Sequence, residues 1–239
     1  MTLGASLFAE NPARDARFEV KQLWQEMVNL PQDHADNAKE FLHRQLNEEL
    51  NSLEIAARNL ADFPDEEWEL RMAIARQCAD EARHAIAFRR LLEARGGHVG
   101  QYPVLNFQYR IMASIPSLIG RLAVANRSFE AAGIDAIHEG IESSRRRDDL
   151  EFTALFDAQL ADEVQHVRFA NIWVNRLIER DGARAVLALA RAVAQADAAL
   201  KHIAGDDIVF YPVADQIRRE AGFTEEEIES ARALTGQKR

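Results

Sequence analysis

Apolar residues recur at intervals of three and four along most of this chain, an interval typical of an amphipathic α-helix. Over residues 33–61 they form one stripe, which comprises Leu42, Leu46, Leu50, Leu53, Ala57 and Leu60. A second stripe covers residues 66–94 and stops before Gly96, since glycine readily adopts the left-handed backbone that closes a helix. The break at Pro64 separates the two stripes and predicts two consecutive long helices.

Two more long helices are predicted in the middle of the chain. The third covers residues 114–145, where Ser114 and Pro116 indicate either a fresh helix start or a kink. The fourth follows the junction at Arg147 and ends near residue 181. Between the second helix and the third we expect a long connection that contains Pro103.

The two ends of the chain lie outside these four helices. Residues 1–32 show only a short apolar set that indicates a leading helix capping a bundle, namely Phe18, Leu23, Trp24 and Met27. Residues 183–203 predict an alanine-rich helix, and residues 208–212 predict a short extended stretch. Thr224 and Glu227 form a capping box that opens a final short helix.

The composition favours one all-α domain. With 239 residues and 47% hydrophobic content the chain can bury a sizeable core, while Gly 11 and Pro 6 are few for a sandwich or barrel. We expect residues 1–239 to form a single domain, with a four-helix bundle at about 33–180 and a helical extension at 183–239.

The charge and the cysteine usage narrow the class of protein. A net charge of −10 argues against general nucleic-acid binding, because a surface that follows phosphates needs a concentrated positive field. The single cysteine, Cys78, excludes an intramolecular disulfide. No apolar run approaches the roughly 18 residues of a membrane span, and the first residues lack the pattern of a secretory signal. We expect a cytoplasmic protein that does not bind membranes.

The motif Asp-Glu-x-x-His occurs in two of the predicted helices. Its copies are Asp80-Glu81-Ala82-Arg83-His84 and Asp162-Glu163-Val164-Gln165-His166. Residues three apart share one helix face, so each copy presents a carboxylate and an imidazole side by side. Both pairs lie on apolar stripes, where burying an unpartnered carboxylate would be costly. Two such faces that meet in a bundle core predict a metal site.

The same spacing also occurs where we expect no metal. Glu40 precedes His43 by three residues, but this pair lies near a helix start beside Arg44, and we expect it at the surface. Asp135 and His138 repeat the spacing with an aspartate. The spacing alone is therefore a weak signal.

Each preferred pair has a glutamate on the stripe of the preceding helix, Glu49 for the first and Glu130 for the second. Glu48 is the alternative to Glu49, but it falls on the helix face of Arg44. Glu54 follows Glu49 at the same distance in sequence as Asp135 follows Glu130, which indicates two copies of a helix pair.

Four glutamates and two divalent cations make a formally neutral core, so burial of the carboxylates becomes tolerable. This set suits iron or manganese better than structural zinc. The predicted ligands are Glu49, Glu81, His84, Glu130, Glu163 and His166.

The aspartate before each motif glutamate has a predicted role beside the metal. A metal-bound histidine usually gives its other ring N–H to a carboxylate, so Asp162 would hold His84 and Asp80 would hold His166. The alternative is that both aspartates face solvent. Four residues could line an apolar substrate pocket, although core packing is the better explanation for each: Cys78, Phe88, Phe129 and Trp173.

At these residues the chain resembles the ferritin-like di-iron carboxylate superfamily, whose bundle draws one Glu from each of two helices and Glu-x-x-His from the other two. The resemblance covers about residues 33–180, and the string Glu49-Leu50-Asn51-Ser52-Leu53-Glu54 is similar to an uncharacterised branch. It implies terminal and bridging carboxylates, with Glu49 and Glu130 terminal and Glu81 and Glu163 bridging.

Two departures narrow the function that this resemblance implies. Gly133 stands where rubrerythrin-type peroxidases carry an extra glutamate, and Phe88 stands where the ribonucleotide reductase small subunit carries its radical tyrosine. Storage ferritins lack the second histidine. The resemblance therefore implies a non-haem di-iron oxygenase or oxidase that uses O2 and two Fe ions, or Mn and Fe, to oxidise a small organic substrate.

Other partners and alternatives remain open on the sequence. No flavin or nicotinamide fingerprint is visible, so an external electron donor or reductase is expected. The alternatives are a ferroxidase or iron-handling protein without an organic substrate, a structural bundle, and an RNA hydroxylase, which the acidic charge disfavours. A homodimer is also allowed, because the C-terminal extension can pack on the bundle or on a second subunit.

Overall fold

The computed structural model describes residues 12, 14–205 and 210–236, and nearly all their regular structure is helical. The predicted all-α class is confirmed. The helices are α1 (Asn37–Asp62), α2 (Trp68–Ala94), α3 (Phe107–Ala113), α4 (Leu118–Val124), α5 (Ala131–Arg146), α6 (Leu150–Asp181), α7 (Ala183–Ala204), α8 (Asp215–Glu220) and α9 (Glu225–Leu234). The two short strands, β1 (Val20–Lys21) and β2 (Val104–Leu105), pair in parallel.

The chain divides into two compact units, of which the first comprises residues 1–118 and 194–208. In this unit α1 and α2 pack along each other. The predicted stripe of α2 contributes to its core, with Leu70 and Phe88 completely buried. The stripe predicted for α1 is correct at Leu42, which is buried, but wrong at Ala57, which is exposed while Ile55 is buried. Arg71 of α2 donates hydrogen bonds to the carbonyls at the end of α1, which closes the connection between the two helices.

The leading helix predicted from Phe18, Leu23, Trp24 and Met27 is wrong. This segment contains β1 and a single 3₁₀ turn at Trp24–Glu26. Four apolar residues cannot support a long amphipathic stripe, and pairing with β2 satisfies the extended backbone instead. Asn47 of α1 donates to the carbonyl of Leu105 at 2.7 Å, which anchors β2 on the helix.

The second unit comprises residues 119–193 and 209–239. Of the two alternatives at Ser114 and Pro116, the fresh helix start is confirmed, because residues 114–117 are not helical and α4 begins at Leu118. Between α4 and α5 this third helix contains a π-helical segment, Ala125–Glu130. The C-terminal extension packs through α8 on α5 and α6, around a core of Ala131, Ile134, Val164, Val167, Ala214 and Ala221.

The predicted helix starts in this unit are confirmed. Asp149 caps α6 by accepting the N–H of Phe152, and the Thr224 capping box opens α9. Part of the predicted extended stretch, residues 208–209, lies outside the described residues. None of the helices described is long and apolar enough to cross a membrane.

Candidate metal centre

The first unit brings together two glutamates and a histidine, which we call the first triad: Glu49, Glu81 and His84. Glu49 comes from α1, and the other two lie three residues apart on one face of α2. His84 Nδ1 lies 3.2 Å from Glu49 Oε2 and 3.3 Å from Glu81 Oε2. All three side chains are buried, and each offers a ligand atom within 4.8 Å of the others.

The second unit builds an equivalent group, the second triad: Glu130, Glu163 and His166. Glu130 is the last residue of the π-helical segment, and the other two lie on α6. His166 Nδ1 lies 3.4 Å from Glu163 Oε2. The three are buried, with ligand atoms again within 4.8 Å of one another. Single-turn π bulges in helices often occur at functional sites, and this one delivers a triad glutamate.

The chemistry of each triad fits a divalent metal ion. Two carboxylates bring two negative charges into a buried position, and one divalent cation would neutralise them. Carboxylate oxygens with one imidazole nitrogen are donors that iron and manganese accept. These buried Glu and His groups could therefore hold metal ions.

The structure places Glu49, and not Glu48, beside His84. Glu49 is 5% exposed and contacts the imidazole directly. Glu48 is half-buried on another face of α1, and burial raises its pKa to about 7 against the opposing effect of Arg44 and Arg14. A carboxyl that is partly protonated near neutral pH is a poorer metal ligand.

The prediction that Glu40 and His43 lie at the surface is wrong, since both are buried. Glu40 forms an ion pair with Arg44 at 3.1 Å, which compensates its charge. His43 Nε2 accepts the backbone N–H of Gly100 at 2.8 Å, and burial lowers its pKa to about 4. This histidine is therefore a neutral core residue.

The carboxylates that follow Glu49 and Glu130 at the same offset both bind a buried arginine. Glu54 pairs with Arg14, from the segment before β1. Asp135 pairs with Arg218 of α8 at 2.6 Å and also accepts the N–H of Ala214 at 2.9 Å. The two corresponding carboxylates of the sequence repeat therefore each form an ion pair with an arginine. Asp135 is paired with Arg218, and His138, three residues after it, is half-buried.

Asp80 is buried. The alternative prediction, that the aspartates of both motifs face solvent, is therefore wrong for Asp80. It pairs with Arg83 and, at 3.5 Å, with Arg76 on its own helix. Asp162 is half-buried. The pairing of these aspartates with the histidines stays a prediction.

The residues predicted to line a pocket behave mainly as core. Phe88 is completely buried, and Trp173 is buried with the Arg176 guanidinium 4.7 Å from its ring centroid. Phe129 is half-buried. Burial, with the nearby charge of Glu81, raises the pKa of the half-buried Cys78 thiol to about 11, so the thiol stays protonated.

Sequence reasoning missed three amide side chains that contact the triads. Gln77 and Gln159 each donate to the glutamate four residues later, Glu81 and Glu163. Asn126 donates to Glu130 at 2.7 Å. The signal was present, because the repeat extends to Gln-x-Ala-Asp-Glu-x-x-His in both copies.

Fold and site together define the class: an all-α protein with buried clusters of glutamate and histidine that could hold metal ions. The chain belongs to the family described as "Protein of unknown function (DUF455)", whose model matches residues 4–229. No curated protein and no solved structure matches the chain.

Proposed function

We propose that the two triads together bind two iron ions, or one manganese and one iron, in a ferritin-like four-helix bundle. The observation that carries this is the equivalence of the triads, each with two buried glutamates and a histidine within 4.8 Å. One divalent cation per triad neutralises its carboxylates. Glu81 and Glu163 are the proposed bridging ligands, and Glu49 and Glu130 the terminal ones.

We further propose that the protein is a non-haem oxygenase or oxidase acting on a small organic molecule. Bound ferrous ions would supply the reducing chemistry that activates O2. The protein contributes the buried, water-poor surroundings of the triads and the carboxylates that hold the ions. Reducing the second oxygen atom to water requires electrons from outside, so an external donor or reductase completes the reaction.

The absence of a carboxylate at Gly133 supports an oxygenase or oxidase over a rubrerythrin-type peroxidase. An added Cβ at this glycine would meet nothing within 4 Å, so packing around that atom does not explain the missing side chain.

Metal analysis after anaerobic loading with ferrous iron tests the proposal. We expect about two iron ions per chain in the wild type and a clear loss in Glu81→Gln, because the amide removes a charged ligand of similar shape. Glu93→Gln is the matched control, since Glu93 lies exposed on the same helix and pairs with Arg89.

Undiminished iron in Glu81→Gln, or none in the wild type, would contradict the metal centre. Loaded protein should then consume O2 in the presence of a reductant. Iron that accumulates far beyond the ligand count would favour an iron-handling protein instead.

A further inference from the structure

Each proposed metal glutamate is preceded, four residues earlier, by a side chain with a primary amide. Residues four apart lie one turn apart on the same helix face. The four amides are Gln45, Gln77, Asn126 and Gln159, which precede Glu49, Glu81, Glu130 and Glu163. Glu48, the rejected alternative, has Arg44 in that place.

The structure shows three of these amides donating to their glutamates. Gln77 Nε2 lies 3.2 Å from Glu81 Oε1, and Gln159 Nε2 lies 3.5 Å from Glu163 Oε1. The third, Asn126 Nδ2, lies 2.7 Å from an oxygen of Glu130 within the π-helical segment. All three amides are buried.

Three carboxylates outside the triads have a different kind of partner. Glu40, Glu54 and Asp135 each pair with an arginine. A guanidinium neutralises a carboxylate and competes with a metal for its charge. A neutral amide orients the carboxylate through one hydrogen bond and does not neutralise its negative charge.

We propose that Gln77, Asn126 and Gln159 are positioning residues that hold the triad carboxylates in their ligand orientation before metal binds. Gln45 stands at the same place before Glu49 in the sequence. This role rests on the proposed metal centre, whose carboxylate ligands would be oriented by the amide side chains four residues earlier. Partners of metal ligands that fix their orientation typically change metal affinity when they are removed.

Cobalt(II) titration with a competing chelator tests this proposal, since cobalt reports both affinity and ligand geometry through its visible spectrum. Gln77→Met and Gln159→Met keep the side-chain length and remove the donor. We expect cobalt affinity to fall by about 10–100-fold, with an altered spectrum. Gln165→Met is the matched control on α6, because Gln165 is exposed, and it should leave affinity and spectrum unchanged.

The outcomes separate the two proposals. If the wild type binds no cobalt and no iron, the metal centre itself fails. If the wild type binds cobalt and both methionine variants bind it with unchanged affinity and spectrum, only the positioning role fails, even where their melting temperatures fall. If the methionine variants do not fold, Asn126→Leu is used instead, because leucine is close in size to asparagine. Its cobalt affinity and visible spectrum then decide whether the positioning role holds.

Discussion

At the scale of single residues, burial does not distinguish a metal ligand from a core histidine. His43, His84 and His166 are all buried. What differs is the partner, because His84 and His166 contact carboxylate oxygens, whereas His43 accepts a backbone N–H and packs near aromatic rings. His84 and His166 each belong to a group of side chains that could hold a metal ion, and among the described residues no such group includes His43.

His43 predicts a loss of stability in mild acid. Its pKa is lowered from 6.5 to about 4 in the folded chain, so below pH 6.5 the unfolded chain binds a proton that the folded chain does not. Unfolding is therefore favoured increasingly as the pH falls from 6.5 towards 4, by roughly 1–2 kcal/mol between pH 7 and pH 5.

Urea unfolding of metal-free protein at these two pH values measures the effect. His43→Gln is the comparison, because its amide oxygen can still accept the Gly100 N–H but does not titrate. The free energy of unfolding should change less between the two pH values in this variant than in the wild type. If the free energy of unfolding changes equally with pH in the wild type and in the variant, His43 does not cause the loss of stability in acid.

At the scale of elements, two segments outside the long helices are attached to them through ion pairs at corresponding places. Arg14 reaches Glu54 on α1, and Arg218 reaches Asp135 on α5. Each carboxylate follows a triad glutamate by the same number of residues. The anchors therefore fix segments against the two helices that carry Glu49 and Glu130.

Breaking one of these pairs should destabilise the fold strongly. In Arg218→Leu, Asp135 keeps the hydrogen bond from the Ala214 N–H but loses the guanidinium that compensates its charge, so we expect a loss of about 3–5 kcal/mol in the free energy of unfolding. Arg218→Leu combined with Asp135→Leu should recover part of that loss, because no charge is then left buried. Urea unfolding measures both variants, and equal stability of the two would contradict the anchor.

Local periodicity predicted the four long helices because each buries one apolar face against a neighbour. The π-helical segment at Ala125–Glu130 could not be read this way. Its residues fit an α-helix as well, so the local sequence does not predict the wider turn. The same limitation explains the missed strand β1, whose backbone partner lies far along the chain.

At the scale of the whole molecule, negatively charged side chains are found in the interior as well as at the surface. The net charge is −10, and the triads bury four glutamates. Bound cations should therefore stabilise the folded chain, since ions that bind only the folded state shift the equilibrium by mass action.

Metal loading should raise the melting temperature. At a free-metal concentration of about 100 times Kd, the gain of about 2.7 kcal/mol corresponds to roughly 5–10 °C for a chain of this size. Calorimetry with manganese or anaerobic ferrous iron, and again with a chelator, measures the shift. Glu163→Gln should show a much smaller shift, and an equal one would argue against this ligand.

The sequence by itself determined the helical class, the doubled motif and the glutamates and histidines that could hold a metal ion, because these depend on residue spacing within single helices. Only the tertiary structure decided that Glu49 and not Glu48 lies beside His84, that His43 is buried, and that arginines engage Glu54 and Asp135. These outcomes depend on which distant segment packs on which helix face. Residue spacing within a helix says which side chains share a face, and only packing says what that face meets.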